Sequence, residues 1–284
     1  MKQQIKDIFK QFDDAIEVLN IQPVTGGDIN ASYLVTTGEK RYFIKINLDA
    51  ADDFFAFESY GLKRLAETGT VHVPTCYYQQ TSPPVLILEW IETSDRDETS
   101  SLLGQHLAEL HLIKQHNYGL DRDGYIGLLN QPNRLTDDWV GYFATMRLGN
   151  QLNIGIDQGM ITGQRRAKLE SLITNLTNLL PRNPHPSLLH GDLWGGNWLR
   201  GANHTPYLID PAIVQGDRHF ELAFTELFGG FSNDFYMAYQ QVFPIDPSYT
   251  DTKQIYQLFY LLVHLNIFGG MYGPQVDRIL NKYT

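Results

Sequence analysis

Two hydrophobic periods succeed one another along this chain. Over residues 24–46 the period is two: Tyr33 and Val35 alternate with Leu34 and Thr36, and Tyr42, Ile44 and Ile46 alternate with Phe43 and Lys45. Successive side chains of a strand point to opposite faces, so this spacing predicts strands, and Thr37-Gly38-Glu39-Lys40 supplies a turn between them. A helix is predicted over 51–67, closing at Gly69, with further strands at 71–74 and 85–88. Past Glu89-Trp90-Ile91 the period lengthens. Leu103, Leu107 and Leu110 stand at i, i+4 and i+7, and Leu169, Leu172, Ile173, Leu176, Leu179 and Leu180 form an amphipathic stripe stopped by Pro181. Two short strands, 198–199 and 207–209, interrupt the helices, and the pattern is helical again from Glu221 on. The predicted class is α+β: a small antiparallel β-sheet lobe over residues 1–90, a connector near residue 90, and a larger, mainly helical lobe over 91–284. A cleft between such lobes is a common ligand site.

Composition narrows the classes. With 43% hydrophobic and 19% charged residues in 284, the chain is an ordinary globular one, which excludes disordered and fibrous proteins. The formal net charge of −10 argues against nucleic acid or an anionic membrane as partner, since both reward an excess of Lys and Arg. The single cysteine, Cys76, cannot form an internal disulfide, and neither the first residues nor the most apolar stretch, 258–263, is long enough for a signal peptide or a span. A cytoplasmic protein is expected.

Four elements, in order, carry candidate chemistry. Thr25-Gly26-Gly27-Asp28-Ile29-Asn30 is a glycine turn between strands, where backbone N–H groups could approach a phosphate, although paired glycines also serve simple turns. Asp28 would repel a phosphate, so only Gly26 and Gly27 are candidate ligands. Lys45 sits amid Tyr42-Phe43-Ile44 and Ile46, where an ammonium must snorkel, pair or bind an anion; Glu58, thirteen residues on, is a candidate partner. An edge-strand lysine facing water is an equally open reading. The third element is His190-Gly191-Asp192-Leu193-Trp194-Gly195-Gly196-Asn197. Transfer of a phosphoryl group from ATP needs a carboxylate to orient and deprotonate an attacking hydroxyl, and an oxygen ligand for Mg²⁺; Asp192 and Asn197 supply both. The fourth is Asp210, at the end of the second hairpin strand, which the hairpin brings near Asn197 to make two hard oxygen ligands for Mg²⁺. Together these parts make a protein-kinase-like phosphotransferase signature. The stretch Gly216-Asp217-Arg218-His219-Phe220-Glu221 follows almost at once, leaving no room for a long activation loop, so a small-molecule kinase is expected.

These residues most resemble the fructosamine/ketosamine-3-kinase family, within the aminoglycoside and choline kinase-like group. The resemblance also rests on Phe57-Glu58-Ser59-Tyr60-Gly61-Leu62, Leu107-Ala108-Glu109-Leu110-His111 and the segment from Tyr125-Ile126-Gly127 through Gln131-Pro132-Asn133 to Trp139 and Arg147-Leu148, and it covers nearly the whole chain. It implies a bilobal protein-kinase-like fold and ATP-dependent phosphorylation of the sugar 3-hydroxyl of ketosamines, small or protein-bound, with protein deglycation or repair as the outcome. Bacterial members look better suited to ribulosamines or erythrulosamines than to fructosamines. By the same resemblance Asp192 is the catalytic base, Asn197 and Asp210 hold Mg²⁺, and Lys45, braced by Glu58, holds the α- and β-phosphates. The backbone of Glu89 and Ile91 meets adenine, and Trp194 stacks on the sugar adduct. Asp217 is a candidate for the substrate's ammonium, Arg218 and Glu221 for a pair bracing the Asp210 loop, and Arg147 for support of the catalytic loop or a surface salt bridge. Two other readings stay open: an aminoglycoside- or choline-type kinase, and a nucleotide-binding pseudokinase scaffold.

Overall fold

A computed structural model describes residues 1–25, 30–94, 99–202 and 204–284. The chain runs through α1 (Lys2–Phe12), β1 (Val18–Pro23), β2 (Ala31–Thr37), β3 (Arg41–Ile46), α2 (Phe54–Ala66), β4 (Cys76–Gln80), β5 (Val85–Glu89) and α3 (Thr99–Leu112). A small hairpin follows, β6 (Gly124–Ile126) and β7 (Leu129–Gln131), then α4 (Trp139–Tyr142), a π-helical segment (Phe143–Gly149), α5 (Asn150–Asp157) and α6 (Gly163–Asn175). The remainder is β8 (Pro186–Leu189), β9 (Trp198–Arg200), β10 (Pro206–Leu208), β11 (Val214–Asp217), α7 (Arg218–Thr225), α8 (Asn233–Val242), α9 (Tyr249–Phe268) and α10 (Gly273–Tyr283). Two compact units result: Met1–Arg96 with Leu199–Asp210, and Asp97–Trp198 with Pro211–Thr284.

The first unit is built on a five-stranded antiparallel sheet in the order β1-β2-β3-β5-β4. Strand parity sorts its two faces. Tyr42, Ile44 and Ile46 of β3 and Val85 and Ile87 of β5 pack with Ile5, Ile8 and Phe9 of α1. Leu86 and Leu88 point the other way, against Phe55 and Leu62 of α2, and Phe43 packs there too. Lys45 shares the parity of Phe43 and so belongs to the α2 face. Because β3 lies between β2 and β5, Lys45 is not on a sheet edge. The strand expected at 71–74 is not a sheet strand: Pro74 has no N–H to continue a ladder, and His72 instead forms an isolated parallel bridge to Tyr207. The strand begins at Cys76.

Residues after β5 run antiparallel to β9. Ser94 N–H donates to the Arg200 carbonyl at 2.8 Å and Ala202 N–H to that of Glu92 at 2.7 Å, with a bridge between Thr93 and Gly201.

The second unit is mainly helical, and its centre is aromatic. Phe220 stacks on Tyr260 with ring centroids 5.0 Å apart and meets Phe143 edge-on at 5.4 Å. Trp139 Nε1–H donates to Tyr256 Oη at 3.0 Å, which satisfies an indole donor that burial would otherwise penalise. Strand β8 pairs antiparallel with β11, Leu189 opposite Val214, and so delivers the chain to the His190 loop from a fixed strand end. An α+β fold with a β-sheet unit and a helical unit is thus as expected. Among the described residues no helix is long and apolar enough to cross a membrane.

Candidate active site

In the first unit, Lys45 Nζ donates to Glu58 Oε1 at 2.8 Å and also to Asp210 Oδ1. Glu58 reaches it because Phe55, Glu58, Leu62 and Leu65 fall on one face of α2, the face turned to the sheet. The Lys45 side chain is 5% exposed and that of Glu58 12%, whereas Asp210 is 42% exposed. Burial pulls the ammonium downward, yet Asp210 and then Glu58 outweigh it and hold Lys45 above its ordinary range. Burial pushes the Glu58 carboxyl up, against the opposing pull of Lys45. Asp210 takes the left-handed region at φ +56°, which Asp tolerates better than most residues.

In the second unit the His190–Asn197 loop is held by its backbone. Glu221, fully buried, accepts from His190 N–H at 3.2 Å and from Gly191 N–H at 2.6 Å. Ala212 N–H donates to the His190 carbonyl at 2.9 Å, and Tyr260 Oη–H to that of Gly191 at 3.1 Å. Gly191 stands at φ +84°, and a Cβ there would run into the Ala212 carbonyl oxygen, so the position needs glycine on both counts. Asn197 Nδ2 donates to the Asp192 carbonyl at 2.7 Å and to Asp192 Oδ2 at 3.0 Å, fixing the partly exposed carboxylate. With its amide nitrogen so turned, Asn197 has Oδ1 left over, and no donor among the described residues takes it. Trp194 is 41% exposed, and its six-membered ring lies over Gly196, where a Cβ would collide with it.

Glu89 and Ile91 line a cleft of about 160 Å³ in the first unit, together with Trp90, Glu92 and residues of the β9–β10 hairpin. Gly26 and Gly27, and Asp28 with them, lie outside the described residues.

Three expectations are corrected. Asp217 does not face a substrate: it is 2% exposed, caps α7 by accepting from His219 N–H at 3.0 Å, and accepts from Tyr256 Oη–H at 2.7 Å. Arg218 and Glu221 do not pair with each other. Arg218 donates to the Phe243 carbonyl at 3.0 Å and to that of Pro244, and its guanidinium stacks on Phe243, whereas Glu221 turns to the His190 loop. Arg147 is neither on the surface nor on the loop. It is fully buried and donates to the Pro132 carbonyl at 3.1 Å and to Asn133 Oδ1 at 2.8 Å. Sequence reasoning missed His111, Tyr239 and Tyr260, whose partners stand far away along the chain.

Mg²⁺ is the metal that the phosphotransferase reading implies, and the donors present fit it. The Asp210 carboxylate in the first unit and Asn197 Oδ1 in the second are each hard oxygens of the kind that Mg²⁺ takes.

Comparison with known proteins agrees over the whole length. The fructosamine kinase family model matches residues 1–284. A candidate ketoamine kinase of Lactiplantibacillus plantarum is 40% identical over 271 residues, 94% of this chain and 95% of that protein. The chloroplastic protein-ribulosamine 3-kinase of Oryza sativa subsp. japonica is 32% identical over 275 residues, 95% of this chain and 80% of that protein. Among solved structures, a candidate fructosamine-3-kinase from Haemophilus somnus superposes with a TM-score of 0.89 at 28% identity, covering 100% of this chain and 97% of that one. A choline kinase from Streptococcus pneumoniae, with a TM-score of 0.64 at 18% identity over 99% of this chain and 100% of that one, shares the kinase-like fold. The chain belongs to the fructosamine kinase family and is a phosphotransferase.

Proposed function

We propose that the protein transfers the γ-phosphoryl group of ATP to the sugar 3-hydroxyl of a ketosamine, free or carried on a protein, and so serves deglycation or repair in the cytosol. The observation that carries this reading is the pair of hydrogen bonds that the Asn197 amide donates to Asp192, one to the carbonyl and one to Oδ2. It fixes the orientation of the Asp192 carboxylate and leaves Asn197 Oδ1, a hard oxygen, to meet a metal. Support comes from the whole-chain family match and from the ribulosamine kinase among the relatives.

The roles follow from each group's surroundings. Asp192 orients the acceptor hydroxyl and takes its proton as the hydroxyl oxygen bonds to the γ-phosphorus and the bond to the β,γ-bridging oxygen breaks, releasing ADP. Lys45, kept charged by Glu58 and Asp210, holds the α- and β-phosphates. Asn197 and Asp210 would hold Mg²⁺, which when bound would offset phosphate charge. The backbone of Glu89 and Ile91 receives adenine, and exposed Trp194 stacks on the sugar adduct.

The test is a coupled ADP-release assay with Mg·ATP and ribuloselysine, fructoselysine, kanamycin and choline as acceptors, with the phosphate located by NMR. Turnover on a ketosamine with phosphate on O3 is expected, and ribuloselysine is expected to outpace fructoselysine. Turnover on kanamycin or choline alone would keep the kinase and discard the ketosamine. ATP binding without turnover would turn the weight to a scaffold.

A further inference from the structure

Beneath the His190–Asn197 loop lies a buried line of hydrogen bonds that ends on a carboxylate. Arg218 Nη1 donates to Tyr239 Oη at 3.2 Å, and an arginine can only donate. Tyr239 Oη lies 2.8 Å from His111 Nδ1. The Glu221 carboxylate can only accept, so His111 Nε2–H donates to Glu221 Oε1 at 2.9 Å. Glu221 ends the line as an acceptor and turns its remaining capacity on the loop, through His190 N–H and Gly191 N–H. His111, Tyr239 and Glu221 are all 0% exposed, so a mismatch among them is not relieved by bulk solvent.

We infer that Glu221 is the positioning residue of the catalytic loop, setting Asp192 through the backbone amides of the two residues that precede it. Tyr260 Oη–H, on the Gly191 carbonyl, holds the next peptide, that between Gly191 and Asp192. The inference rests on Asp192 being the base. Three N–H donors converge on one carboxylate, and only a group with two acceptor oxygens satisfies them. In Glu221→Gln the shape is kept but one oxygen becomes an NH₂. Whichever way that amide turns, a loop N–H meets another N–H, because His190 N–H shares its oxygen with His111 and Gly191 N–H holds the other.

The test sets E221Q against L169A. Leu169 is fully buried in α6 of the same unit and contributes no bond to the loop. Turnover, KM for ATP, melting temperature and amide exchange of the 188–193 peptide are measured for both. A carboxylate displaced by about 1 Å loses on the order of 10²-fold in rate, so E221Q is expected to lose that much kcat with KM for ATP nearly unchanged and with faster exchange at Gly191. L169A is expected to keep most of its kcat despite an equal or larger drop in melting temperature. Wild-type kcat in E221Q, or an equal kcat loss in L169A, would overturn the inference. D192N in the same assay separates the two claims: if D192N is dead while E221Q turns over normally, only the positioning role falls. If D192N turns over like the wild type, the base assignment itself falls.

Discussion

Replacing Lys45 by methionine separates what its ammonium does for folding from what it does for catalysis. Methionine keeps most of the buried stem and removes the charge, so the packing of β3 against α2 changes little. What changes is Glu58, whose side chain is only 12% exposed and which loses the cation bonded to it. Removing one partner of a buried ion pair costs about 3–5 kcal/mol. The lower end applies here, because Asp210 is 42% exposed and can rehydrate, and because burial already inclines Glu58 to take up a proton. About 3 kcal/mol corresponds to a fall of roughly 6–12 °C in melting temperature.

The sign with pH is definite. Without Lys45 the folded-state pKa of Glu58 lies above its unfolded value, so the unfolded chain binds fewer protons than the folded one. The deficit of K45M is therefore small near pH 5 and grows as pH rises. K45M/E58M, which removes both charges, is expected to recover most of the lost stability and none of the activity. Urea or thermal melts at pH 5 and 8 and the ADP-release assay read all of this. Equal stability of K45M and wild type at pH 8 would refute the burial argument, and activity restored in the double variant would refute the phosphate role of Lys45.

Two further outcomes are expected. Gly196→Ala places a Cβ in the Trp194 ring, which must move. Loss of one aromatic contact is worth about 1 kcal/mol, so KM for the acceptor should rise several-fold to about tenfold while KM for ATP holds, and unchanged acceptor kinetics would show that Trp194 touches no substrate. Burial holds His264 below the usual histidine range, so the unfolded chain binds a proton that the folded one refuses and stability is lost as pH falls below about 6.5. His264→Phe, within the aromatic group of Phe228 and Tyr272, loses the bond to the Tyr260 carbonyl and is less stable at pH 7.5 by about 1 kcal/mol, but should lose less than wild type between pH 7 and 5. Parallel acid slopes in thermal melts would contradict this.

Local periodicity made part of this protein legible before its coordinates. The alternation of Tyr42, Ile44 and Ile46 with Phe43 and Lys45 is the alternation between the α1 and α2 faces of the sheet, and the pairing of Lys45 with Glu58 follows from it. The His190–Asn197 loop was readable because its glycines and its Asp-to-Asn spacing are local. By contrast β1 carries no clear signal, since only Ile21 among its residues is buried. Nor does Gly216-Asp217-Arg218-His219-Phe220-Glu221 look like a core, being rich in charge. Its side chains are nonetheless buried, and their hydrogen-bond partners come from elsewhere: Tyr256 for Asp217, the Phe243 and Pro244 carbonyls for Arg218, His111 for Glu221. Partners separated by 25 to 110 residues leave no trace in a period of two or of 3.6.

The central claim is that Asp192 is the base of a ketosamine kinase. The most direct test is Asp192→Asn, which keeps a carbonyl oxygen for the Asn197 amide and removes the proton acceptor. Turnover on ribuloselysine and Mg·ATP affinity by calorimetry would be measured side by side. The account predicts a kcat lower by about 10²–10⁴-fold with ATP affinity nearly unchanged. Wild-type turnover in D192N would contradict it.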